Sequence, residues 1–190
     1  MIKRASLDEE LFIVLLPGGQ VLKKAVEMQK YLSEYYNIYK ENKLPELHIT
    51  IDRIKKENLK RVKQIVNEEI KKTGPIKIKL SQFECYQLSK NDFLVLKLEK
   101  TSSLMKFSSS LHQRLKAEAL STIDDYEKWK FHITIISSLF AENPLSQKDF
   151  DEVCLLLEGE QTCYTSPAER LEIWIPTLDQ EKKCLYSCYL

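Results

Sequence analysis

Leu47-His48-Ile49-Thr50-Ile51-Asp52-Arg53-Ile54 is the stretch on which the reading of this chain turns. Leu47, Ile49 and Ile51 alternate strictly with His48, Thr50 and Asp52, the period of a strand with one face in a core. His48 and Thr50 therefore project together, while the intervening Ile49 anchors the strand from the other side. The tetrapeptide His48-Ile49-Thr50-Ile51 recurs as His132-Ile133-Thr134-Ile135. The chain has three histidines and eight threonines in 190 residues. By chance, two of three histidines would have a threonine two positions on in roughly one such sequence in two hundred, before the matching isoleucines are counted. One copy alone would most simply be an ordinary strand histidine and threonine. Two copies point to an internal duplication, with two similar halves each offering one such strand.

Outward from the first copy, Leu11–Leu16 is a continuous apolar run rich in β-formers, the pattern of a strand buried on both faces, and Pro17-Gly18-Gly19 ends it. Val21, Ala25, Met28 and Leu32 recur at helical spacing, predicting a helix from about Val21 to Tyr39. Residues 41–46 read as a polar loop. Asn58 is placed to cap a helix to about Lys72. Ile76–Gln87 and Phe93–Leu98 form a predicted hairpin with its turn at Asn91-Asp92. A helix capped by Ser102 or Ser103 runs to about Leu120, and Trp129–Leu139 carries the second tetrapeptide. Ser146, with Asp149 three residues on, opens a helix to about Leu157. Glu169–Ile175 and Cys184–Leu190 are the last two strands. The order β-α-β-α-β-β-α-β-α-β-β is an α+β pattern, and no composition break marks a linker, so residues 1–190 read as one domain.

Hydrophobic residues make up 43% and charged residues 30% of the chain, with a formal net charge of +1. Such a balance gives no bulk attraction to nucleic acid or membrane, so anion recognition must come from a local cluster. The apolar run at Leu11–Leu16 is too short to span a bilayer, and no signal peptide is evident. The five cysteines (Cys85, Cys154, Cys163, Cys184 and Cys188) are odd in number and match no zinc spacing. They read as reduced, mostly buried thiols, and the expected location is the cytoplasm.

Two imidazoles and two hydroxyls converging on one cleft suit a phosphodiester. An unperturbed histidine titrates near pH 6.5, so one copy can accept a proton while the other donates one. The threonine hydroxyls can bond the non-bridging oxygens and steady the charge that develops there. An acid and a base acting together need no metal and no cofactor.

Two His-x-Thr motifs half a domain apart resemble the 2H phosphoesterase superfamily, and in flavour its 2′–5′ RNA ligase-like branch, which includes RNA 2′,3′-cyclic phosphodiesterases. The likeness extends to the early apolar strand, the loop Leu44-Pro45-Glu46-Leu47 and the central hairpin. It implies a bilobal fold: two pseudo-symmetric lobes of antiparallel sheet, helices outside and a central cleft. It implies RNA ends or cyclic nucleotides as substrates, with 2′,3′-cyclic phosphates or 2′–5′ linkages as the reacting groups, and ligation as the reverse direction. Carried over by motif, His48 and His132 are catalytic, with His132 the base and His48 the acid, and Thr50 and Thr134 bind phosphate. A monomer is expected.

Other residues are weaker candidates. Tyr86 is the best placed to stack on a base, although core packing is its commoner role; Trp129 and Phe131 share a parity that points them into the core. His112 reads as a helix-surface residue, Asp52 as a strand-end carboxylate near solvent, and Lys77 and Lys79 as solvated lysines. The competing function is a nucleotide- or RNA-binding module that keeps the cleft without turnover. Binding alone would not require both an acid and a base, which favours the enzyme.

Overall fold

The computed structural model describes residues 7–39, 43–88 and 91–190. Its elements follow the expected order: β1 (Glu10–Pro17), α1 (Gly19–Tyr36), β2 (Ile49–Lys55), α2 (Leu59–Ile70), β3 (Lys77–Leu88), β4 (Asn91–Leu98), α3 (Ser102–Ala117), β5 (His132–Ser137), α4 (Gln147–Leu157), β6 (Thr165–Trp174), a four-residue α5 (Gln180–Lys183) and β7 (Cys184–Tyr189). Among the described residues, α5 and two three-residue 3₁₀ turns, Lys56–Asn58 and Tyr126–Lys128, are added to the expected set. Residues 41 and 42 of the expected loop lie outside the described residues, and Asn91 and Asp92 belong to β4 rather than to the hairpin turn.

The chain is an α+β fold built on a seven-stranded antiparallel sheet in the order β1-β2-β5-β4-β3-β6-β7, with β1 also paired to β6. The strands fall into two half-sheets, β2-β1-β6-β7 and β5-β4-β3. They meet at the β2–β5 seam, where the ladder consists of a single pair, Ile49 opposite Ile133. They meet again where Lys77–Lys79 of β3 pairs with Thr165–Pro167 of β6. The element order is thus β-α-β-α-β twice over, followed by α5 and β7, with the third strand of each repeat pairing to the first strand of the other.

The helices cross over in the same way. α1, which follows β1, packs on β5, and α3, which follows β4, packs on β2. Ile13, Leu15, Ile49, Ile51, Leu94, Leu96, Ile133 and Ile135 all join the core beneath these helices. Local signals fix the helix ends. Asn37 closes α1 in the left-handed region, with φ 50°. Ser146 caps α4 by accepting from the Asp149 amide, as expected. For α3 the cap is Thr101, one residue earlier than expected, whose hydroxyl accepts from the Leu104 amide. Asn58 makes no side-chain cap on α2.

The cysteine reading needs correction. Cys85 on β3 and Cys154 on α4 form a disulfide, their Cα atoms 6.0 Å apart, while Cys163, Cys184 and Cys188 are free. The sequence separation of 69 residues hid a contact that exists only because α4 packs on β3. Among the described residues, no helix is long and apolar enough to cross a membrane.

Candidate active site

Both His-x-Thr motifs sit at the seam between the half-sheets. Because Ile49 opposes Ile133 in an antiparallel pair, continuing that register one residue each way puts His48 opposite Thr134 and Thr50 opposite His132. All four side chains share the face away from Ile49 and Ile133, which are fully buried, and all four keep partial exposure. Directly opposed residues on one face have Cβ atoms about 4.5–5.5 Å apart. The duplicated tetrapeptide is therefore folded into one quartet with an approximate two-fold axis through the Ile49–Ile133 pair.

The two imidazoles are held in the same way. His48 Nδ1–H donates to the Glu46 carbonyl at 2.9 Å, and His132 Nδ1–H donates to the Lys130 carbonyl at 2.9 Å. A carbonyl only accepts, so each Nδ1 carries the proton. Each neutral ring then has its Nε2 lone pair free, the tautomer required of a proton acceptor. Burial pushes the His48 imidazolium down to about 4; the Glu46 carbonyl opposes this, and the nearby positive charges of His132 and Lys183 add to it. Burial also lowers His132, opposed by the Lys130 carbonyl and by the Glu84 carboxylate.

The duplication reaches further than the tetrapeptide. In both motif strands a bulge follows the threonine: Ile13 pairs with Asp52 but Val14 with Thr50, and Leu94 pairs with Ile136 but Val95 with Thr134. Val14 and Val95 thus flank the two threonines equivalently. On the next strand out, Glu172 and Trp174 of β6 oppose Val14 and Phe12, and Glu84 and Tyr86 of β3 oppose Val95 and Phe93. Trp174 Nε1 donates to Glu172 at 2.6 Å, and the Tyr86 hydroxyl donates to Glu84. Trp174 meets the His48 ring edge-on with centroids 4.7 Å apart, and Tyr86 meets the His132 ring edge-on at 6.1 Å. A lysine covers each aromatic face, Lys183 over Trp174 at 4.0 Å and Lys130 over Tyr86 at 5.3 Å.

Glu84, Glu172 and Trp174 were not singled out from the sequence. The signal was present: Phe12-Ile13-Val14-Leu15 matches Phe93-Leu94-Val95-Leu96, and Leu171-Glu172-Ile173-Trp174 matches Phe83-Glu84-Cys85-Tyr86 in type. Tyr86, the stacking candidate, lies beside His132 as part of this frame. Phe131 is buried in the core, while Trp129, half-buried, donates from Nε1 to the Thr50 carbonyl at 3.0 Å and so braces the first motif from behind. Lys79 pairs with Glu99 at 2.8 Å, and Lys77 is exposed, both away from the quartet.

Asp52 and His112 also need correction. The bulge at Ile51 turns Asp52 away from Thr50 and into the core, where it is fully buried beneath α3. His112 lies buried there too, and its Nδ1–H donates to Asp52 at 2.8 Å. The Ser121 hydroxyl donates to the other Asp52 oxygen at 2.7 Å, and Tyr126 stacks on the His112 ring at 3.9 Å. Ser121 Oγ also lies 3.4 Å from His112 Nδ1, the nitrogen whose proton Asp52 accepts, so the ring offers the serine no lone pair there; the trio ties α3 and the Ser121–Tyr126 segment to the back of β2. Among the described residues, no group of three or more His, Cys, Asp or Glu side chains is placed to hold a metal ion.

Comparison with known proteins bears on the family and the fold. The family model described as the AKAP7 2′5′ RNA ligase-like domain matches residues 12–188. No curated protein sequence matches. Among solved structures, TT0787 of Thermus thermophilus superposes with a TM-score of 0.65 at 14% identity, covering 95% of this chain and 97% of that one. The apo form of E. coli LigT gives a TM-score of 0.53 at 9% identity, over 96% and 97% of the two chains. Kluyveromyces marxianus Usb1 gives 0.51 at 11% identity, over 88% and 94%.

Proposed function

The chain belongs to the AKAP7 2′5′ RNA ligase-like family, within the 2H phosphoesterase superfamily, and from that premise we propose that it is a phosphodiesterase acting on RNA ends or cyclic nucleotides. The reacting group is a 2′,3′-cyclic phosphate or a 2′–5′ linkage, and the reverse of the same steps is 2′–5′ ligation. The observation that carries this reading is the Ile49–Ile133 pair, which sets both free Nε2 atoms and both threonine hydroxyls on one face. LigT, a structural neighbour, has been crystallised with 3′-AMP, a nucleotide with a phosphate at the ribose 3′ position.

In hydrolysis, one Nε2 takes a proton from water as its oxygen bonds to phosphorus. The other imidazolium gives its proton to the ribose oxygen as the P–O bond breaks. Thr50 and Thr134 donate to the non-bridging oxygens, and their bonds strengthen as negative charge builds there. As the resemblance implies, His132 is the base that takes the proton from water and His48 the acid that gives one to the leaving oxygen; burial lowers both imidazolium pKa values, with the Glu84 carboxylate opposing it at His132. In the free protein both rings are pushed toward neutrality. The anionic phosphate is therefore what brings the catalytic proton onto the pair, since an adjacent negative charge raises an imidazolium pKa.

The test is hydrolysis of 2′,3′-cyclic nucleotides and of RNA with cyclic or 2′–5′ ends, in the presence of a chelator and beside the His48→Ala and His132→Ala variants. The expected result is turnover with chelator present and a bell-shaped pH profile. Binding that persists without turnover in the wild type would make the chain a nucleotide-binding module. Activity abolished by chelator would overturn the two-histidine mechanism.

A further inference from the structure

A buried carboxylate stands at the same place in each half-sheet. Glu84 opposes Val95 and Glu172 opposes Val14, and both are largely enclosed, with side chains 14% and 6% exposed. Each binds the ring donor of the aromatic residue two positions on, and that ring packs edge-on against the histidine of its own half. A buried charge is costly unless hydrogen bonds satisfy it, so two such charges at equivalent positions need a common reason. Core packing does not supply one, because both lie on the cleft face, whereas Phe83 and Leu171 beside them face the core.

We propose that Glu84 and Glu172 are positioning residues for His132 and His48 respectively, each acting through the aromatic ring it holds against the imidazole. This inference rests on the proton-transfer roles assigned above. The reason is geometric. The Nδ1–H bond to the Glu46 or Lys130 carbonyl sets one distance, while the side chain turns about two bonds, χ1 and χ2, so one freedom of the ring remains. A second contact on the ring is needed to aim Nε2, and Trp174 and Tyr86 provide it. An aromatic ring supports a neighbour only if its own rotamer is fixed, and the carboxylate fixes it through the indole N–H or the phenol O–H. The remaining carboxylate oxygens are bound as well. Glu172 accepts from Ser187 at 2.9 Å and pairs with Arg170 at 3.1 Å; Glu84 accepts from Lys97 at 2.7 Å and lies 3.9 Å from Lys130. The charged and titratable groups facing His132 are thus Glu84 and Tyr86 from β3, Lys97 from β4, Lys130 from its own approach segment and His48 across the seam. His48 is faced by Glu46, Lys183 and His132.

The experiment compares Glu84→Ala, Glu84→Gln, Tyr86→Phe and the Glu84→Ala/Tyr86→Phe double variant, with Glu172→Ala and Glu172→Gln as the matched set in the other half. The first readout needs no activity. Long-range ¹H–¹⁵N spectra report the tautomer of each imidazole, and the chain has only three histidines to assign. Glu84→Ala is expected to shift the His132 nitrogens toward the values of an exchanging tautomer pair and to leave His48 at its wild-type positions. Glu172→Ala should do the converse, and both Gln variants should stay near wild type, because an amide oxygen still accepts from the ring donor. The second readout is turnover of a 2′,3′-cyclic mononucleotide. Glu84→Ala should lower kcat on the order of 10- to 100-fold with KM within about twofold, since ångström-scale misplacement of a catalytic group costs about that much. Tyr86→Phe should lower kcat similarly, and the double variant should lose no more than either single one. Unmoved His132 signals in Glu84→Ala, equal movement of both histidines, or a Gln variant as damaged as its Ala counterpart would overturn the inference. If no cyclic nucleotide is turned over, the previous reading fails while the spectra still decide this one.

Discussion

The two halves of the cleft share one blueprint but differ in what surrounds it. On the His48 side the wall is Trp174, packed with Val14, Leu16 and Phe12 in a small apolar cluster of its own. On the His132 side the wall is Tyr86, and the residue facing His132 on β4 is Lys97, where the equivalent position on β1 is Leu16. The duplication thus preserves whatever holds an imidazole: the carbonyl anchor two residues back, the bulge after the threonine, the carboxylate and its aromatic ring. It varies the wall itself: an indole in an apolar cluster on one side and a phenol with Lys97 nearby on the other, while a carboxylate and a lysine stand on both. A symmetric frame cannot by itself tell an acid from a base, so under the proposed mechanism the inequality of the two histidines comes from these differences.

That comparison breaks first at the histidines themselves. His48→Ala and His132→Ala should each reduce turnover about 10²- to 10⁴-fold, and the double variant should lose little more, because the pair acts as a unit. A steady-state assay that finds one of them dispensable would end the idea of equivalent roles. Next comes the seam. Ile49→Ala and Ile133→Ala each delete a fully buried side chain and should cost about 2–5 kcal/mol, read by chemical denaturation. The two residues are directly opposed, so their costs should couple rather than add. A smaller effect is expected for Thr50→Val and Thr134→Val, about 10- to 100-fold each in kcat, since each removes a single hydrogen bond to a charged group. Equal losses would show that both hydroxyls reach the phosphate.

The last prediction sharpens the contrast in pH. His48 is neutral in the folded chain down to about pH 4, whereas an ordinary unfolded histidine takes up its proton near 6.5. The unfolded state therefore binds more protons over that window, and stability falls as pH drops from about 6.5 toward 4. His48→Gln should flatten this part of the stability curve. A denaturation series across those pH values, showing the same slope in variant and wild type, would remove the claim that the apolar wall keeps His48 neutral.

Much of this was legible in the chain. Strict alternation around His48 and its repetition at His132 fixed two strands, and the helical stripes filled the spaces between, so the element order followed. What stayed hidden has identifiable causes. Alternation assigned Asp52 to the face of Thr50, but an inserted residue at Ile51 reverses the parity beyond it, and periodicity carries no signal for a bulge. His112 read as a surface residue because its partner, Asp52, is 60 positions away. The Cys85–Cys154 bridge depends on a helix packing on a strand, which no spacing rule expresses. Glu84 and Glu172 were overlooked because they recur within a pattern of residue types rather than of identical letters.

The third strand of each repeat pairs with the first strand of the other, and that exchange has a mechanical consequence. With β3 joined to β6 at one end and β2 joined to β5 at the other, the strands form a closed circuit. Widening the mouth between the imidazoles would mean parting the Ile49–Ile133 bridge or stripping the short β3–β6 ladder. The molecule is therefore built more like a fixed jig than a hinged clamp, and under the proposed function a phosphate must fit the spacing it finds.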